Sequence, residues 1–194
     1  MLFTSEPRAA LCDRLPLHTR RLVLRRLEMS DLDAVAAMLA DPLVMRHFPR
    51  TLTRRESEAW LLRNAERCRR DGTALFAVTL DDVWIGDCGL VLRRLDAVDV
   101  LELGYHFRRD AWGHGYATEA AAACVATAHA DVPHVPVVAL IRSANIASRR
   151  VAARLGFAVG GATLHAGVVH ERWDAPAPAG ASPTGRWHPK GTLQ

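Results

Sequence analysis

A chain of 194 residues suffices for one ordinary domain with short tails, and with 49% hydrophobic and 24% charged residues it holds enough apolar surface to exclude disorder throughout. The formal charge is +4, yet Lys190 is the only lysine and the arginines are spread from Arg8 to Arg186 among acidic residues, so nucleic-acid binding, which needs a clustered basic face, is not expected. No apolar run reaches 18 residues, the first residues lack a basic start followed by an apolar core, and Cys12, Cys68, Cys88 and Cys124 form no Cys-x-x-Cys pair; these features predict a cytoplasmic protein with reduced structural thiols, no membrane segment and no zinc site.

Residues 1–17 precede the first regular pattern and are read as an N-terminal tail. Residues 21–25 read as a strand, after which Ser30 is expected to cap a helix carrying Leu32, Val35, Ala36 and Leu39 at helical spacing, stopped by Pro42. Thr53-Arg54-Arg55-Glu56 is a capping box, and the helix it opens should run to Gly72, a suitable left-handed terminator. Strand-like runs follow at 75–80 and 83–92, joined across Asp81-Asp82, and at 100–107 after a polar break. The remainder alternates: an alanine-rich helix over 117–130, a buried strand over 137–141, a helix over 146–155 ended by Gly156, and strands near 157–159 and 168–173. An antiparallel half followed by a β-α-β-α-β half predicts an α+β (mixed α/β) sheet protein. Residues 174–194 are rich in Pro, Ala and Gly and read as a flexible tail, with Trp187 as an isolated tryptophan within it.

The chemistry is concentrated between Glu102 and Glu119, which run from a strand through a glycine turn into a helix. Gly113 and Gly115 permit close backbone approach, and the first amides of the following helix point outward without internal partners, a geometry suited to phosphate. A plain strand-to-helix connection uses glycines for steric reasons too, so the turn alone decides nothing. A dinucleotide fingerprint would need a third glycine in an opening β-α-β unit, and a phosphate loop would need a Lys-Ser/Thr pair; both are missing.

Trp112-Gly113-His114-Gly115-Tyr116-Ala117-Thr118-Glu119-Ala120 resembles the coenzyme-A-binding motif of the GNAT acetyltransferase superfamily and is very similar to its RimJ/RimL-like, ribosomal-protein N-acetyltransferase branch. A second match stands downstream at Asn145-Ile146-Ala147-Ser148 through Gly156-Phe157. Further similarity lies in Thr19-Arg20-Arg21-Leu22, Asp41-Pro42-Leu43 and Ile85-Gly86-Asp87-Cys88-Gly89, so the resemblance covers residues 18–173. It implies a GNAT-like fold with a central bent mixed sheet of six to seven strands and about four flanking helices. The strands at 100–107 and 137–142 would splay apart to admit the pantetheine arm of acetyl-CoA, the implied co-substrate, with no metal.

On the same resemblance, backbone groups of Tyr105 and Phe107, with His106 between them, would pair with pantetheine like an added strand. The amides of Gly113, His114, Gly115, Tyr116, Ala117 and Thr118 would hold the pyrophosphate. Trp112 stands where the wider superfamily usually has Gln or Arg, which makes Arg108 or Arg109 the substitute phosphate contact. Many relatives have a tyrosine seven residues after the asparagine as thiolate proton donor; here that position is Ala152, and Ser148 is the branch's alternative. Asn145 would bond pantetheine, cap the helix, or both.

Deprotonating an amine of pKa near 10.4 calls for a base. Glu102 is the leading choice, against a role as a salt-bridged strand residue that only shapes the site; His106 and His114 are rivals because imidazole titrates near neutrality. His47, His165 and His170 are weighed for the acceptor pocket, as are Met45, Phe48, Trp60 and Trp84 for its wall. The expected activity is direct acetyl transfer to a primary amine, a protein N-terminus or a small molecule, within a ternary complex; the alternative is a non-catalytic acyl-CoA-binding or sensing module. An exposed edge strand makes a homodimer feasible.

Overall fold

The computed structural model describes residues 11–165 and 167–178. Within them β1 (Leu17–His18), β2 (Leu22–Arg25), β3 (Leu75–Leu80), β4 (Val83–Leu95), β5 (Val98–Phe107), β6 (Val137–Ile141), β7 (Ala158–His165) and β8 (Val168–Asp174) form one mixed sheet in the order β1-β2-β3-β4-β5-β6-β8-β7. Four α-helices accompany it: α1 (Leu32–Ala40), α2 (Arg54–Asp71), α3 (Tyr116–Asp131) and α4 (Ile146–Arg154). The α+β class and the four helices match the sequence expectation, while the sheet has eight strands where six to seven were predicted. The extra one is β1, a two-residue strand too short to show periodicity.

Two turns build the central meander. Asp81 and Asp82 have φ of 49° and 63°, and Asp96 and Ala97 have 47° and 66°. Paired left-handed residues in two-residue loops match the twist of the flanking strands, so β4 and β5 stay in register from Val98 to Phe107. The polar break anticipated before residue 100 shrinks to that second turn.

Side chains alternate across the sheet. Leu22, Leu24, Phe76, Val78, Leu101 and Leu103 face one side and pack with Ala120, Ala121, Cys124 and Ala128 of α3. The opposite side carries Ala77 and Trp84 against Val35, Met38, Leu39 and Leu61 of α1 and α2. Small residues on α3 let that helix sit close to the sheet, while α2 is secured by the Thr53/Glu56 capping box and ends in Gly72 at φ 69°, as its sequence predicts.

The feature that makes a site is a split. β5 pairs in parallel with β6 only at Leu101↔Val137 and Glu102↔Val138. The amide of Leu101 donates to Pro136 on the β6 side (2.8 Å), whereas Arg108 donates to Ile85 on the β4 side (3.0 Å). Strand alternation therefore turns the backbone groups of Leu103, Tyr105 and Phe107 toward the β6 side, where β6 has already diverged.

Several expectations are corrected. Residues 11–17 are no tail: Leu11 and Cys12 are buried in the α3-side core, and Arg14 ion-pairs with Asp131. Cys12 and Cys68 are bonded, with Cα atoms 5.9 Å apart, which overturns their assignment as reduced thiols; Cys88 and Cys124 are free and buried. Ser30 does not cap α1. That place is taken by Asp31, whose buried carboxylate accepts from Glu28 N and pairs with Arg25. The C-terminal boundary moves outward, since Asp174 belongs to β8 and Ala175 donates to Val137 (2.9 Å). Trp187 lies outside the described residues. No helix among those described is long and apolar enough to cross a membrane.

Candidate active site

The split between β5 and β6 opens into a cleft of about 390 Å³ with three walls. The first is the glycine turn and the start of α3. Gly113 and Gly115 both hold left-handed backbone, at φ 82° and 81°, and no atom lies within 4 Å of where a Cβ on Gly113 would stand. α3 begins at Tyr116 and its first closing bond is Glu119 N to Gly115 O, so the amides of Tyr116, Ala117 and Thr118 have no helical partner. The Thr118 hydroxyl is buried without a hydrogen bond, and Thr118 lines the cleft. A left-handed glycine cradle, three unpaired amides and an orphaned hydroxyl form a site for an anion.

Glu119 fixes this wall. Its carboxylate accepts from Thr19 Oγ1 at 2.7 Å, Arg21 N at 2.8 Å and Arg21 Nε at 2.7 Å, while the Arg21 guanidinium lies 4.5 Å from the centre of the Tyr116 ring.

The second wall is α4. Asn145 caps it, accepting from Ser148 N at 3.1 Å, and Ser148, Ala147, Arg150, Val151 and Arg154 face the cleft. The Tyr105 hydroxyl donates to the Ser148 carbonyl at 3.5 Å; burial pushes the phenol up to about 12, so it stays protonated. Ala152, at the position of the expected tyrosine, is packed in the core, and the Tyr105 phenol reaches this part of α4 from the strand side.

The third wall is the turn Met45–His47 with Leu43, Val44 and Phe48. The Arg46 guanidinium lies 5.5 Å from the centre of the Trp112 ring, whose Nε1 donates to Phe107 O at 2.8 Å. Burial, followed by the charges of Arg46 and Arg142, pushes the His47 pKa down. Phe48 and Trp60 contact the ring of His106, with centroids 4.8 and 6.3 Å away, whereas Met45 and Trp84 are core residues.

The cleft thus brings together Tyr105, His106, Phe107, Trp112, Gly113, Gly115, Tyr116, Ala117, Thr118, Asn145 and Ser148 of the residues selected from sequence. His47 and Phe48, weighed for the acceptor side, line it too, but the others do not. Glu102 sits where β5 and β6 are still paired, and its carboxylate bonds Arg93 Nε at 2.6 Å, so it is the salt-bridged strand residue and not a group on the cleft wall. Arg108 bonds Asp110 and Trp84 O, Arg109 lies 3.7 Å from Asp41, and neither lines the cleft. His114 stacks on Tyr116 at 5.4 Å beside the turn without lining the cleft, and His165 and His170 meet each other on the β7–β8 hairpin.

Sequence reasoning missed Arg46, Arg150, Arg154 and Asp87. Arg150 and Arg154 are one turn apart on α4, and their spacing was a readable signal. Among the described residues neither makes an ion pair, and no His/Cys/Asp/Glu group there is arranged to hold a metal.

Residues 21–158 match the acetyltransferase (GNAT) domain family. The chain is 31% identical over 163 residues to the uncharacterised protein YkkB of Bacillus subtilis, covering 82% of this chain and 91% of that one. Its fold is similar to an acetyltransferase from Agrobacterium tumefaciens (TM-score 0.72, 23% identity, 91% of this chain and 98% of the other). It is also similar to the RimL ribosomal L7/L12 α-N-protein acetyltransferase in complex with coenzyme A (TM-score 0.67, 18% identity, 82% and 95%).

Proposed function

This chain belongs to the GNAT acetyltransferase family, and on that premise we propose that it transfers the acetyl group of acetyl-CoA directly to a primary amine, a protein N-terminus or a small molecule, within a ternary complex. The observation that carries the proposal is the split sheet running into the glycine cradle: the backbone groups of Tyr105 and the amide of Phe107, turned to the side from which β6 has diverged, lead to amides without helical partners at Tyr116, Ala117 and Thr118.

The residues present fit acetyl-CoA. The cradle and the α3 amides suit the pyrophosphate, Thr118 Oγ1 is a donor in want of an acceptor, and Arg150 and Arg154 supply the positive charge that Trp112 cannot. The backbone groups of Tyr105 and the amide of Phe107 suit the amides of pantetheine. When bound, the co-substrate supplies an activated thioester. The protein's part is to exclude water, hold the thioester carbon near the free backbone of β5, and offer the Ser148 hydroxyl to the departing sulfur. Asn145 holds the first turn of α4, and thereby Ser148, in place. The RimL neighbour acts on a ribosomal-protein N-terminus, which supports a protein amine among the acceptors.

Calorimetric titration with acetyl-CoA tests the cradle. Gly115→Val adds a branched side chain at a left-handed position and should weaken binding at least about tenfold while the fold persists. Unchanged affinity in that variant would move the phosphates elsewhere.

A further inference from the structure

The cleft floor holds a buried ionisable pair that cofactor binding does not need. Asp87 on β4 stands directly opposite His106 on β5, and the imidazole Nδ1 lies 2.8 Å from Asp87 Oδ1. Asp87 is fully buried and its Oδ2 has no partner, so this histidine is the side chain offsetting the cost of a carboxylate in the sheet. Phe48 and Trp60 pack on the ring and hold it, while His106 also lines the cleft. With Nδ1–H donating to the Asp87 carboxylate, Nε2 is left as an acceptor, and among the described residues it has no hydrogen-bond partner.

We propose that His106 is the base that deprotonates the acceptor amine, with Asp87 as the positioning residue that fixes its tautomer; this rests on the acetyl-transfer function proposed above. The acceptor enters as an ammonium ion and gives one proton to Nε2. Its nitrogen lone pair then forms the N–C bond to the acetyl carbon, and the C–S bond breaks with its electron pair on sulfur. The second nitrogen proton passes through Ser148 or water to the sulfur, leaving an amide and coenzyme A thiol, and the imidazolium returns its proton to water.

The ionisable groups around the ring are Asp87 from β4, Arg46 and His47 from the turn, and Arg150 and Arg154 from α4 on the cleft wall, while α2 contributes the uncharged Trp60; of these, Asp87 is the group that shifts the imidazole. Burial pulls the imidazole pKa down, but the charge and hydrogen bond of Asp87 outweigh it and the net direction is up. The base is thus stronger than a free histidine and is neutral, and so active, only above its raised pKa.

The test measures thiol release against pH for the full chain, His106→Gln and Asp87→Asn, beside calorimetric binding of acetyl-CoA to each. All three should still bind acetyl-CoA, because the phosphate cradle is intact in each, and kcat is compared at saturating acetyl-CoA. His106→Gln should lose about 10²- to 10⁴-fold in kcat together with the acidic limb of the profile. Asp87→Asn should shift that limb to lower pH, because removing the carboxylate lowers the imidazole pKa, an effect that a merely structural Asp87 would not produce. Acetyl-CoA-binding His106→Gln protein with unchanged kcat and an intact acidic limb overturns the dyad and leaves acetyl transfer standing. A wild-type chain that binds acetyl-CoA yet releases no thiol with any amine overturns acetyl transfer itself, and the dyad's role with it.

Discussion

Glu119 illustrates how one carboxylate sets a binding site without touching a ligand. Burial raises its pKa, but the bonds from Thr19 and Arg21 outweigh that and hold it below the ordinary carboxylate range. The folded state therefore binds this proton less readily than the unfolded chain. The stability so gained is complete above the ordinary carboxylate range and is lost as pH falls through it toward the lowered folded value. Glu119→Gln should cost about 1–3 kcal/mol at neutral pH, and the gap from wild type should narrow as pH falls below the ordinary carboxylate range, measured by thermal unfolding across that range. Ser148→Ala should lower kcat about 10²-fold with acetyl-CoA affinity kept, read by stopped thiol-release assays. Asn145 and Ser148 were picked out by the family resemblance of a four-residue stretch, and the cap that joins them is local in sequence. Asp87 was not picked out. Its role depends on facing His106 across a hairpin, and that register is set by the two-residue turn at Asp96-Ala97, which the polar stretch of residues 93–99 concealed.

Among the elements, β4 and the N-terminal turn are the ones whose packing sequence could not disclose. A Cβ on Gly89 would stand 2.1 Å from Ala74 O and 2.8 Å from Leu75 Cα, both backbone atoms that cannot yield without moving β3. Gly89→Ala is therefore expected to destabilise the fold by about 1–3 kcal/mol, a drop visible in the urea midpoint. The turn at Leu11–Arg14 carries no periodic pattern, yet Leu11 and Cys12 are among the most buried residues, and the disulfide to Cys68 staples the turn to α2 across 56 positions of sequence. The double variant Cys12→Ser/Cys68→Ser should lose about 2–4 kcal/mol, and reducing agent should lower the melting temperature of wild type but not of this variant. By contrast, the capping box at Thr53, the terminator at Gly72 and the helix starting beside Gly115 were readable, because each depends on residues within one turn of one another.

For the molecule as a whole, the governing feature is a sheet that is continuous from β1 to β5 and again from β6 through β8, but joined between β5 and β6 by only two paired positions. The order of strands and helices foretold a mixed sheet. The length of the β5–β6 pairing did not follow from either strand's composition, and was expected only through the family resemblance. Glu102 was favoured because the family resemblance sets its strand beside the reacting carbonyl, whereas its carboxylate is bonded to Arg93. The cleft also concentrates Arg46, Arg150 and Arg154, so a chain of modest net charge meets its anionic co-substrate with local positive potential, and acetyl-CoA affinity should weaken as salt rises. The most direct measurement is coenzyme A thiol release from acetyl-CoA on adding a panel of amines and peptide N-termini, with the acetylated product identified by its mass. Amine-dependent release in step with product is the predicted result. Acetyl-CoA that binds but is never consumed across the panel would contradict acetyl transfer as the activity of this cleft.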